Sequence, residues 1–242
     1  MREDKPIRSC KTSFTLAAQS SQHTLAQKSL KIDLNGLSSV INSDMNTFLL
    51  AARHLLEKQP DLILLPKKLD FYCMTNNLDR TDNVLYVKKS GTLCATPDWV
   101  DESEVVLQSI RATHDCLNRP WYDSIRVQTE EGDSWFAELR LMFEYGGQKL
   151  VYVRWYDVLQ QAPDDILSQY GCVSLKLTEL YDVIPMDTIV CKEYIVPDFK
   201  TRKEHSPSKV TFERYHVSVF KWDRLPVGYK EDLVDEYGNI IG

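Results

Sequence analysis

The sequence predicts an α+β protein that is mainly β: a small antiparallel β-barrel or sandwich, with an N-terminal helix and short strands packed beside it. Three observations carry that expectation. Residues Met45, Phe48, Leu49, Ala52, Leu55 and Leu56 recur at spacings of three and four, which puts them on one helical face. The stretch SWFAELRLMFEY alternates apolar and mainly polar residues, as a strand with one buried face does. Further short β-like runs then follow at close intervals to the end of the chain.

Composition sets the outer limits. Of 242 residues, 43% are hydrophobic and 26% charged, which is the balance of a chain that buries a core. No run approaches the ~18 apolar residues of a membrane-spanning helix, and MREDKPIRSCKTSF lacks the apolar segment of a signal peptide, so an intracellular location without membrane contact is expected. Cysteines at 10, 73, 94, 116, 172 and 191 form no CxxC pair and read as free, largely buried thiols. Residues 121–242 hold 14 basic and 21 acidic side chains, against 15 and 14 in residues 1–120. A phosphate-binding surface on the second half would therefore have to be a local patch.

Residues 1–31, rich in Ser, Thr, Gln and Lys, read as a flexible arm. Residues 32–120 read as a small helix-plus-strand region. Its helix is capped by Asn42, Ser43 or Asp44 and stopped before Pro60. His54 has no second ligand at metal spacing. LDFYCM and NVLYVKKSGTLCATPDW read as short strands, and ESEVVLQSIRATHDCL as a short helix or a loop with a helical turn. Within it His114, Asp115 and Cys116 are sequential neighbours that point in different directions, so they make no triad.

Residues 121–224 read as the barrel-like module. A short DSIRVQT run precedes the alternating strand, in which Trp135, Ala137, Leu139, Leu141, Phe143 and Tyr145 share a face. Gly146-Gly147 supplies residues that accept positive φ, and KLVYVRWYDVL returns as the second strand of a hairpin. In that return strand Val151, Val153 and Trp155 are expected to be buried, with Tyr152, Arg154 and Tyr156 on the opposite face. CVSLKL, YDVIPMDTIV running into CKEYIVPDF, and FERYHVSVFKW complete the module, with Pro185 and Pro197 bending the middle segment. Residues 225–242 read as an acidic, loose tail.

The common phosphate-loop, hydrolase and zincin signatures are absent, and no acid stands at the end of an apolar strand in an α/β sheet; no enzyme activity, metal or cofactor is expected. Two features suit binding instead. Aromatics crowd the barrel-like half, and two to four at one rim can cage a methylated lysine; Tyr152, Arg154, Tyr156, Tyr181 and Trp222 are the candidates. Lys200, Arg202, Lys203 and Lys209, in KTRKEHSPSK, form a basic loop that could touch phosphates. The bland alternatives are core aromatics and a solvated charged loop.

Taken in order, YDSIRVQ, FAELRLMFEYGGQKLVYVRWYDVL, YDVIPMDTIVCKEYIVPDF and YHVSVFKWD resemble an accessory β-rich module of fungal transposon-encoded, transposase-type proteins. LDFYCM and LCATPDW fit the same order, with Ala95-Thr96-Pro97 as a turn. More distantly the strand order is similar to bromo-adjacent homology domains, small β-barrels that read histone tails or partner proteins. The resemblance implies a non-catalytic interaction module of transposon origin, binding protein or histone-tail partners in the nucleus. Direct DNA binding, as a remnant of transposon end recognition, is the alternative, and an uncharacterised enzyme is the second.

Overall fold

A computed structural model describes residues 24–25, 30–34, 56–79, 84–95, 106–116, 119–129, 132–160, 172–206 and 209–218. The strands are β1 (Thr24–Leu25), β2 (Leu30–Asp33), β3 (Val84–Lys88), β4 (Ser90–Ala95), β5 (Val106–Cys116), β6 (Arg119–Tyr122), β7 (Ser124–Gln128) and β8 (Ser134–Tyr145). They continue with β9 (Gln148–Val158), β10 (Ser174–Pro185), β11 (Ile189–Glu193), β12 (Ile195–Pro197), β13 (Arg202–Ser206), β14 (Lys209–Phe212) and β15 (Tyr215–Val217). A 3-10 turn (Pro60–Leu64) leads into helix α1 (Leu65–Thr75).

The protein is mainly β, built on a curled antiparallel sheet that forms a half-barrel. That sheet runs β11-β7-β8-β9-β10-β15-β12, and β3 joins it on β8 with β2 alongside. A smaller sheet, β1-β4-β5-β6, packs beside it, and β13 with β14 forms a separate hairpin. Thr24 and Leu25, in the stretch expected to be an arm, pair with Thr92 and Gly91 of β4. The hairpin between β8 and β9 turns on Gly146 and Gly147, whose φ values of 54° and 77° satisfy the two-residue turn that suits the twist of the strands. Val151, Val153 and Trp155 are buried as their alternation indicates.

The single buried face expected for β8 does not hold. Pairing runs Ala137↔Trp155 and Leu139↔Val153, then shifts to Leu141↔Tyr152 and Phe143↔Leu150, which leaves Arg140 as the extra residue of a β-bulge. The bulge moves the odd-numbered residues to the other side of the sheet. Ala137 and Leu139 therefore pack with Val151, Val153, Trp155 and Ile110 in one core, while Leu141 and Phe143 pack with Tyr152, Leu69 and Leu85 in another. Strict alternation in sequence conceals this, because both faces are covered and the strand has no solvent side to betray the switch.

Two elements differ from expectation. LDFYCM lies in helix α1, not a strand: Leu65, Leu69 and Cys73 recur every fourth residue and are buried together, and Pro66 stands in the first turn, where its missing N–H costs nothing. ESEVVLQSIRATHDCL contains strand β5, not a helix. Gln108, Ile110 and Ala112 point inward while Leu107, Ser109 and Arg111 are exposed, a period of two that β-branched and polar residues blur in the sequence. The KTRKEHSPSK loop is itself largely the hairpin β13–β14. Pro185 ends β10 and a 3-10 turn (Met186–Thr188) separates it from β11, the expected bend. Of the helix expected over 45–56, only Leu56 is described, and it is buried; His54, the remaining helix residues and residues 225–242 lie outside the described residues.

Candidate functional site

The face of the curled sheet opposite Val151, Val153 and Trp155 carries a polar row between two apolar regions. Cross-strand register sets Glu193, Ser124, Glu138, Arg154 and Tyr181 directly opposite one another on β11, β7, β8, β9 and β10. Five strands set at ~4.8 Å make this row about 19 Å long. On one side stand Leu141, Tyr152 and Val183, covered by α1. On the other, Phe136, Tyr156 and Leu175 pack with Tyr215 of β15.

The Arg140 bulge organises the middle of the row. Its guanidinium forms a two-point pair with Asp61, Nε to Oδ2 at 3.1 Å and Nη2 to Oδ1 at 2.9 Å, and donates through Nη1 to Glu138 Oε2 at 3.0 Å. It also lies 4.0 Å from the centre of the Tyr122 ring, and Tyr122 OH accepts from Gln59 Nε2. Burial opposes the charge on Arg140, but the hydrogen bonds it donates to Asp61 and the fields of Glu138 and Asp61 more than restore it and hold its pKa above the ordinary value. Asp61 stands in the 3-10 turn before α1, and its carbonyl accepts from Tyr152 OH at 2.9 Å. In such a pair each partner replaces part of the hydration that the other loses on burial.

Glu138 is held differently. Burial pushes its carboxyl pKa up, against the opposing pull of Arg140 and Arg154. Arg140 engages one oxygen, and 19% of the side chain still meets solvent. The rings of Tyr156 and Tyr215 meet edge to face at 5.6 Å beside it, and the charge on Glu138 adds to burial in raising both phenols.

Arg154 is set by a second bulge, where β10 slips against β9 between Leu177 and Tyr181. Thr178 Oγ1 donates to Trp155 O at 2.8 Å and accepts from Leu180 N at 3.1 Å, fixing the extra residues. Arg154 Nε donates to Thr178 O, its Nη2 pairs with the exposed Glu179, and its guanidinium lies 5.7 Å from the Tyr181 ring centre. Tyr181 in turn stacks on Tyr152 at 5.5 Å and 15°. Burial, with smaller opposing and reinforcing charges around it, pushes the Tyr181 phenol up to about 12.

The candidates Tyr152, Arg154 and Tyr181 are thus brought into one contiguous stack, and Tyr156 stands two residues along the same face in the neighbouring aromatic group. Tyr152, Tyr156 and Tyr181 are each more than nine-tenths buried, so only Arg154 presents a partly open surface. Trp222 lies outside the described residues. Arg202 and Lys203, on β13, pair with Glu204 and Glu213, and Lys200 stands in the turn before them; Lys209 begins β14, where only its backbone is described. Sequence reasoning missed Glu138, Arg140, Asp61 and Tyr215. The charges inside an alternating strand were a visible signal, but the partner of Arg140 lies 79 residues away.

Among the described residues no group of three or more His, Cys, Asp or Glu is placed to hold a metal ion. Among the described residues Cys73, Cys94, Cys116, Cys172 and Cys191 form no disulfide with one another, and the Cys191 thiol donates to Glu193 Oε1 at 3.4 Å. The side chains of His114 and Asp115 are outside the described set. No described helix is long and apolar enough to cross a membrane. No family model, curated protein or solved structure matches the chain.

Proposed function

We propose that the chain is a non-catalytic interaction module that takes a cationic side chain of an extended protein segment, such as a histone tail, at the corner formed by Glu138, Phe136, Tyr156 and Tyr215. The observation that supports this reading is the state of Glu138. Its carboxylate is raised by burial, is engaged by Arg140 at one oxygen only, and stands beside two aromatic rings at the edge of solvent. A lysine ammonium or its methylated form there would meet the half-buried Tyr215 ring, backed by the buried Tyr156 and Phe136, together with a carboxylate, a combination worth about 0.5–2 kcal/mol. Tyr152, Arg154 and Tyr181 form the adjoining wall.

The reading agrees with the resemblance to transposon-derived and bromo-adjacent homology modules and carries with it a chromatin setting in the nucleus. Direct DNA binding rests on Lys200, Arg202, Lys203 and Lys209. It has less behind it, because Arg202 and Lys203 already face Glu204 and Glu213 and the second half of the chain is acidic. The test is a calorimetric titration of the full chain with a lysine-bearing histone-tail peptide, unmodified and trimethylated, beside a gel-shift series across salt. Saturable peptide binding that weakens roughly tenfold in Tyr215→Ala is expected. A salt-sensitive DNA complex without peptide binding would transfer the reading to DNA.

A further inference from the structure

A second surface lies on the smaller sheet, away from the Glu138 corner. Strand β5 exposes Leu107, Ser109 and Arg111 on one side, and Leu107 is 69% exposed. Strand β6 pairs with β5 only from Ala112 onward. Between them Arg111 exchanges main-chain contacts with Asp123: its N–H reaches Asp123 Oδ2 at 2.8 Å, and its carbonyl accepts from Asp123 N at 3.0 Å. Consecutive residues of an antiparallel strand direct their N–H and C=O alternately toward and away from a given neighbour. Arg111 therefore turns away from β4, and Ser109 and Leu107, two and four residues back, turn the same way. Among the described residues nothing meets their main-chain groups on that edge.

Proteins usually cover, twist or charge such an edge, because it is a template for another strand. Here it is flanked by an exposed tryptophan held in place. Trp121 is 45% exposed, yet its indole N–H donates to Asp123 Oδ1 at 2.9 Å, and the same buried carboxylate takes Lys192 Nζ at 2.9 Å. The ring is thus fixed by a hub that ties β5, β6 and β11 together. Arg111 lies 5.3 Å from its centre, and its guanidinium has no carboxylate partner among the described residues of a chain with net charge −6.

We propose that the β5 edge from Leu107 to Arg111, with Trp121, is a docking site for an extended acidic segment of a partner protein, which adds as a strand beside β5. The free main-chain groups supply pairing, Leu107 and Trp121 supply apolar anchors, and Arg111 selects the charge. A fixed aromatic anchor loses little entropy on binding, which is why rigid tryptophans dominate such contacts. A single-stranded nucleic acid could stack on Trp121, but it would leave the alternating donors and acceptors of the edge unused.

The test uses the full chain and two blocked pentapeptides, Val-Glu-Val-Glu-Val and Val-Lys-Val-Lys-Val, followed by calorimetry and by the amide signals of Leu107 and Ser109. The glutamate peptide is expected to bind saturably and to shift both amides, and the lysine peptide to bind at least tenfold more weakly. N-methylation at alternate peptide nitrogens is expected to abolish binding. Arg111→Glu should reverse the preference, a result that mere damage to the fold cannot give; Arg111→Gln, which removes the charge without inverting it, should level the two peptides. Absence of saturable binding, or binding indifferent to peptide charge, overturns the proposal. So does an oligothymidylate complex that disappears in Trp121→Ala, which would assign the surface to nucleic acid, or a concentration-dependent dimer broken by Arg111→Glu, which would assign it to a second copy of this chain.

Discussion

Asp61, Glu138 and Arg140 show how one bulged residue can determine a site. Arg140 is the side chain left over when β8 slips against β9, and it pairs with Asp61 and Glu138 at once. Its removal strands a buried carboxylate, since Asp61 keeps only 9% of its side chain in solvent. Arg140→Met is therefore expected to cost about 3–5 kcal/mol in urea denaturation, more than its area alone would give. Glu138 should behave in the opposite sense. Burial raises its folded-state pKa, so the folded protein binds the proton more readily than the unfolded chain does. Falling pH then favours the fold relative to neutral pH, and rising pH through the raised pKa charges a carboxylate that the fold disfavours. Glu138→Gln keeps an acceptor for Arg140 without that charge. Its melting temperature should exceed the parent's at neutral pH, with the gain shrinking as the pH is lowered through the carboxylate range. A constant offset across pH would mean that Glu138 acts by packing alone.

At the level of elements, the hairpin β8–β9 and its Gly-Gly turn were legible because a period of two and residues that tolerate positive φ are local properties. Both glycines have left-handed φ and open space where a Cβ would stand, so the demand is conformational and not steric. Gly147→Ala should cost about 1 kcal/mol, whereas Gly146→Asn, which gives the Asn-Gly pair favoured in such turns, should leave stability nearly unchanged. Thermal denaturation of the two variants separates these outcomes. Short apolar runs were less legible. LDFYCM carries residues that suit a strand, and only the burial of Leu65, Leu69 and Cys73 on one side of α1 decides for a helix. The bulges at Arg140 and Thr178 left no mark in the sequence, since a bulge is a relation between two strands and the pattern of one strand does not contain it. The candidate site depends on both. The face of Tyr152, Arg154 and Tyr156 was therefore readable, while the carboxylates and the Tyr215 ring that complete it were not. Thr178→Val should cost about 0.5–1.5 kcal/mol, because it removes the hydroxyl's part-buried bond to the Trp155 carbonyl, while the exposed Leu180 N–H can turn to water.

For the molecule as a whole, the bulge in β8 has a further consequence: the two main cores lie on opposite faces of the same strands. Leu139 belongs to the core with Val151, Val153 and Ile110, whereas Leu141, two residues on, belongs to the core with Leu69 of α1 and Leu85 of β3. The sequence divides most simply into a helix-plus-strand region over 32–120 and a barrel-like module over 121–224, yet β3 pairs directly with β8 and α1 packs against β10. If β8 and β9 serve both cores, neither core can melt while the other survives. Leu69→Ala and Leu139→Ala, each emptying a fully buried position in a different core, are then expected to cost about 2–5 kcal/mol each. Both should shift one shared urea transition to lower concentration with the slope of the parent, followed in parallel by far-ultraviolet circular dichroism and by tryptophan fluorescence. The tryptophans that report are chiefly Trp135 and Trp155, which meet edge to face at 5.5 Å beside the Leu139 core. A Leu69→Ala variant that lost helical signal early while those tryptophans kept their native emission would show two separable units. In that case the half-barrel and its Glu138 corner would fold without α1, and the wall that Asp61 contributes through Arg140 would be an accessory to the site, not a condition of it.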